Sequence, residues 1–313
     1  MKMAYAVRLP LIIASILCSA IYPFHGHAEP IKKSVNSRKL GLTIRVEGGG
    51  WGSVRKETIE SVLYSVADEL LTQLPKKLLA PIVVTHTDKN PVALYERGEN
   101  GEYRVRLHAS EANWHLYTYE FAHEFCHILS NYEENVGPGV SRYNQWFEET
   151  LCETASLFAL KSLATSWESK PPAPELAGKG EKLNRFFALL IAEGHRQLPQ
   201  HSPLAIWLEG NEKQLRRDPY QRRKNELVAT LLLPLFERNP EYWSTLSYLN
   251  LDPDDTGNSF QDYLRNWYQN APSGHKVFIA DVLGLFEMRE VITTVIPVQT
   301  AKLALADRLL ETR

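Results

Sequence analysis

Five consecutive residues, His123-Glu124-Phe125-Cys126-His127, constrain this chain more than any other stretch of its 313 residues. Two imidazoles four positions apart stand on one face of an α-helix, one turn from each other, so both can reach a single ion. Phe125, Cys126, Ile128 and Leu129 around them are uncharged, as expected of a helix buried in a core with only its ion-facing side polar. The competing explanation is a surface helix that happens to expose two histidines.

A catalytic zinc takes three protein ligands and keeps a place for water, so a third donor is needed downstream. The stretch Trp146-Phe-Glu-Glu-Thr-Leu-Cys-Glu-Thr-Ala155 offers one. Glu149 and Glu153 are four apart and share a helix face, which lets Glu149 bind the ion while Glu153 orients a ligand histidine from behind. Glu148 points about 100° away from Glu149 and is expected not to be a ligand. Acidic residues near a helix start could instead simply favour the helix dipole. Glu124 adjoins His123 and lies one turn before His127, near the ion without binding it, which suits a general base.

These two motifs resemble those of the gluzincin zinc peptidases, the group that contains thermolysin-like and aminopeptidase-type enzymes. The resemblance spans roughly residues 42–163, and its specific part is confined to 123–127 and 149–153. It implies a zincin-like fold, Zn2+ held by His123, His127 and Glu149, Glu124 as base, and Glu153 as support for a ligand. It also implies a sheet whose edge strand, taken as Tyr103–Leu107, pairs with an extended peptide substrate. The Gly-x-Met-Glu-Asn stretch with which aminopeptidases grip a substrate amino end is missing, so an endopeptidase is expected. A metzincin would want Gly and His where this chain has Ser130 and Glu133; Glu133 stays open as an alternative third ligand. The group steadying the oxyanion is left among Tyr143, His195 and Tyr220. A different class of function, a zincin-fold binding or scaffold protein that cuts nothing, is the alternative.

The remaining sequence supplies the setting. Lys2 and Arg8 precede the apolar run Leu9 to Tyr22, and Gly26-His27-Ala28 offers small residues for cleavage, so residues 1–28 read as an export signal and the mature chain as secreted or periplasmic. That run is shorter than the ~20 residues needed to span a bilayer, so no stable membrane insertion is expected. With 35 Lys plus Arg against 37 Asp plus Glu, the formal charge of -2 argues against a nucleic-acid partner, leaving a peptide or protein substrate. Cys126 and Cys152 could form a disulfide or remain two buried thiols. Asp252 to Gly257 resembles the start of a calcium loop, but position twelve would be Tyr263, and a turn is the simpler expectation.

Periodicity predicts an α+β chain. Strands are expected at Leu42–Val46, Pro81–Thr85, around Tyr95 and at Tyr103–Leu107, with a glycine turn at 48–52 and a helix from Lys56 to Leu74. Helices follow from Tyr117 to Leu129 and from Asn144 to Leu163. The proline-rich stretch 169–180 is expected to join the catalytic part, 29–168, to a mostly helical part, 169–313, that closes the cleft.

Overall fold

The computed structural model describes residues 36–71, 75–135, 143–199, 202–251 and 258–293. The expected export signal and the Asp252–Gly257 segment lie outside the described residues.

The alternation at Leu42, Ile44 and Val46 puts every second side chain inward, and the chain enters the sheet there as β1 (Ile44–Val46). It leaves through the glycine turn, where Gly50 has φ +94° and an added Cβ would lie 2.4 Å from the His86 ring, so only glycine fits. Trp51 then turns inward and its indole N–H donates to the Glu47 carbonyl at 3.1 Å. Helix α1 (Lys56–Leu70) follows, burying Ile59, Val62, Leu63, Val66 and Leu70 along one stripe.

Strands β2 (Ile82–His86), β3 (Val92–Leu94) and β4 (Tyr103–Leu107) complete a four-stranded mixed sheet in the order β1-β2-β4-β3. β1 and β4 both run parallel to β2, and β3 runs antiparallel to β4 with Ala93 opposite Val105. Two expectations change here. The third strand ends at Leu94, and Tyr95 instead packs its ring on Tyr132 at 5.3 Å. Tyr103–Leu107 is an inner strand, because its buried positions Tyr103, Val105 and Leu107 are needed between two partners. The two edges are β1, whose Ile44 and Val46 N–H groups donate to Tyr64 and Glu60 of α1, and β3, entered through Pro91, a residue with no N–H to offer a further strand.

Beyond the sheet the chain is helical. α2 (Trp114–Leu129) packs on α1 and on strands β3 and β4, and α3 (Gln145–Ser169) packs on α2. A short 3-10 turn, Pro174–Leu176, occupies the proline-rich stretch and leads to α4 (Gly180–Ile191). α5 (Leu204–Arg217), α6 (Arg222–Arg238), α7 (Phe260–Asn270), α8 (Ser273–Leu285) and α9 (Glu290–Thr293) complete the order. Among the described residues no helix is long and apolar enough to cross a membrane.

α3 is the axis of this arrangement. α2 covers one of its sides while α4 and α6 cover others, and Trp146, Phe147, Leu151, Ala155, Leu157 and Leu160 point in several directions yet are all buried. A helix apolar on most faces has to sit inside the protein. Its carboxylates are therefore carried into the core, where a charge is tolerated only if it is paired.

Candidate metal centre

Helix α2 turns His123 and His127 toward α3, which answers with Glu148 and Glu149, while Glu120 and Glu124 reach the backbone at the end of β4 and in β3. Glu149 sits between the two histidines. Its Oε2 lies 3.3 Å from His123 Nε2 and its Oε1 lies 3.7 Å from His127 Nε2. Two donors bound tetrahedrally to zinc at about 2.0–2.1 Å stand about 3.3 Å apart, so each separation, made through a different oxygen of Glu149, is near that of two donors on one ion. Burial favours the neutral form of Glu149, but His127 and a hydrogen bond to His123 outweigh it and hold the carboxyl below its usual range. The residue is therefore an ionised acceptor.

Cys152 also lies close, its sulfur and ring nitrogens of the two histidines all falling within 4.8 Å of one another. Burial and the neighbouring Cys126 push its thiol well above the ordinary value, so binding an ion through this sulfur would require its proton to leave. Glu149 and Cys152 are thus two candidates for a third donor beside the histidines. Both cysteines are free and fully buried, so no disulfide joins them.

His127 stands between the two successive carboxylates of α3. Its Nδ1 meets Glu148 Oε1 at 2.7 Å while Nε2 faces Glu149. Burial would push this imidazole down, but Glu149 and Glu148 together raise it well above its ordinary value. Glu148 Oε2 in turn accepts a 2.9 Å bond from Asn250 Nδ2, and Asn250 Oδ1 accepts one from the Tyr263 hydroxyl at 2.7 Å. Asn250 adopts φ +55°, a conformation asparagine tolerates better than most residues. The carboxylate that fixes the His127 ring is thus Glu148.

Glu153 has another place than the one expected. It accepts hydrogen bonds from Tyr119 and, at 2.9 Å, from Arg196 Nη1, and among the described residues it bonds to neither imidazole. Arg196 is buried and also reaches Glu193 at 3.1 Å and Glu226 at 3.5 Å, while Glu226 takes His195 at 2.5 Å and Arg222 at 2.8 Å. This is an ion-pair network that ties α2 and α3 to α6. Glu193, His195 and Glu226 also stand together, but their carboxylates are already paired with Arg196 and Arg222.

Glu124 is 5% exposed, and its Oε2 accepts a 2.6 Å bond from the Ala93 N–H of the edge strand β3. Burial raises its carboxyl above the usual value although both histidines oppose this. No other hydrogen bond is formed by this carboxylate among the described residues, leaving Oε1 for a ligand. A cleft of about 420 Å³ opens beside it, bordered by His123, Glu124, Glu149, Leu116, Phe186 and Tyr220.

The other sequence candidates separate cleanly. Glu133 is bound to Arg97 and Tyr103, each at 3.0 Å, away from the histidines. Tyr143 packs under Arg216, and His195 is engaged with Glu226. Tyr220 borders the cleft, where its hydroxyl accepts a 3.1 Å bond from Gln145, one turn before Glu149. Glu148, Asn250, Arg196 and Arg222 carry no motif of their own; only the doubled acid at 148–149 hinted at one of them.

Compared with known protein families, with curated proteins and with solved structures, the chain shows no significant match to any, so the geometry of this centre alone carries the functional argument.

Proposed function

We propose that the chain is an exported, zinc-dependent peptidase with a zincin-like catalytic part. The observation that supports this best is the convergence of His123, His127 and Glu149, with Glu124 beside them at the cleft and not among the donors. Bound by those three side chains, zinc supplies Lewis acidity and lowers the pKa of its water toward ~7.

The chain's own groups do the rest. Ala93 fixes one oxygen of Glu124, and the other accepts a proton from water and later returns it to the departing amine. Of Tyr143, His195 and Tyr220, Tyr220 is the one that borders the cleft, which supports it as the group that steadies negative charge on the carbonyl oxygen. An antiparallel strand turns the N–H and C=O of one residue to the same side, so the Ala93 carbonyl faces the cleft side as well. It can accept an N–H from an extended peptide laid along the β3 edge.

The test is metal content together with digestion of a mixed peptide library by the purified chain. Stoichiometric zinc and chelator-sensitive cleavage are expected. Glu124→Gln should keep the zinc and lose about 10²–10⁴-fold in turnover. A wild-type chain that binds zinc yet cuts nothing would make the centre a binding site and end the peptidase reading.

A further inference from the structure

Arg222 opens helix α6 and borders the same cleft as His123 and Glu149. Its Nε donates to Glu226 Oε1 at 2.8 Å, and Glu226 is itself held by His195 and Arg196. One edge of the guanidinium is thereby fixed to a buried anchor, which sets the orientation of the planar group. Its two terminal nitrogens form no hydrogen bond among the described residues, and the side chain is 74% exposed. A planar fork locked at its base and open at its end matches the geometry of a carboxylate.

The charge around it decides what it attracts. Glu153, Glu193 and Glu226 share Arg196 and Arg222, with His195 beside Glu226. Among the described residues that border the cleft Arg222 is the one guanidinium, so its open end is where an otherwise acidic wall can receive an anion. Leu116, Phe186 and Leu190 give the cleft an apolar side. A cleft of about 420 Å³ is of the size that holds a drug-sized ligand, about two or three residues of peptide.

We infer that Arg222 binds a substrate carboxylate within about two or three residues of the cleaved bond, so that the enzyme prefers peptides ending, or acidic, at that distance. This rests on the peptidase reading above for its catalytic consequence, but not for the binding itself. The carboxylate has two sources, the free C-terminus of a short peptide or an Asp or Glu side chain.

The experiment uses three versions of one short peptide, a free C-terminal acid, its C-terminal amide, and an amide carrying Glu in place of the last residue. Binding to the zinc-loaded chain is measured by calorimetry, and kcat/KM is measured in parallel. The wild-type chain should favour at least one carboxylate form over the plain amide by about ten-fold or more, the value of one charge-assisted contact. Preference for the free acid alone identifies the terminus, preference for the Glu amide alone identifies the side chain, and equal preference means that the fork takes either. Arg222→Gln should bring the acid-to-amide ratio close to one, and Arg222→Lys, which keeps the charge without the fork, should restore part of it. Equal binding of all three peptides by the wild type, or a ratio untouched in Arg222→Gln, overturns the assignment. If nothing is cut but the acid still binds better through Arg222, the peptidase reading fails and this one stands.

Discussion

Glu148 and His127 meet at 2.7 Å between Oε1 and Nδ1, on the side of the imidazole away from Glu149. A carboxylate in that position selects the tautomer and ring orientation that leave Nε2 free toward the ion, and it makes the imidazole a stronger donor. Glu148→Ala should therefore weaken zinc binding by about 10–100-fold without removing a ligand. Competition titration with a chromophoric chelator reads this directly. An affinity equal to wild type would show that the contact has no bearing on the metal.

Glu153→Ala should behave in the opposite way. It removes the hydrogen-bonded partner of Arg196, whose side chain is wholly buried, and leaves that guanidinium with Glu193 and a longer contact to Glu226. Breaking a buried ion pair from one side costs about 3–5 kcal/mol, and the surviving partners place this loss toward the lower end. Denaturant unfolding should show it, with zinc affinity of the folded protein near wild type. If Glu153→Ala instead loses zinc at unchanged stability, the carboxylate supports a ligand after all.

The contrast between those two acids marks what was legible in the sequence. Helical spacing announced His123, His127 and the strand and helix order, because periods of 3.6 and 2 are local properties. It put Glu149 and Glu153 on one face, which the structure bears out for α3. What spacing within one helix could not convey is how α3 crosses α2, and that crossing lets Glu148 and Glu149, 100° apart, flank a single imidazole. The same limit applies to the edge strand. The segments around Tyr95 and at Tyr103–Leu107 read as strands, but which of them faces outward depends on β2 pairing with β4 across the sheet. Arg196 and Asn250 reach their partners over 43 and 102 residues, with no local pattern to show it.

Acid should expose a different part of the fold. Hydrogen bonds from Thr58, from its own backbone N–H and from Arg55 draw the Glu175 carboxyl down from its ordinary 4.5 to about 2. Because the folded value is the lower one, the unfolded chain binds more protons between about pH 4.5 and 2, and stability rises with pH across that window. The contribution is complete above pH 4.5 and is lost as pH falls through 2. The Tm of Glu175→Gln should lie below that of wild type at pH 6, and the gap should close by pH 2. A gap that does not vary with pH would mean that the carboxyl is not tied to the start of α1 in solution.

The choice between Glu149 and Cys152 as the third donor yields the sharpest test of the centre. Both lie within reach of the two histidines, but one is held ionised by them and the other is kept protonated by burial beside Cys126. Zinc could recruit Cys152 only by displacing its proton inside the core, whereas Glu149 is already charged where the ion would sit. Cys152→Ala should accordingly keep zinc affinity within a few-fold while losing some stability from the small void it leaves. Glu149→Ala should reduce the donor set to two imidazoles and lose stoichiometric zinc at micromolar protein. Replacing zinc by cobalt gives a spectroscopic readout, since a thiolate ligand adds an intense near-ultraviolet charge-transfer band that carboxylate and imidazole do not. A cobalt-loaded wild type that shows this band, and loses it in Cys152→Ala, would move the third ligand from residue 149 to residue 152 and leave Glu149 free to act as a second base.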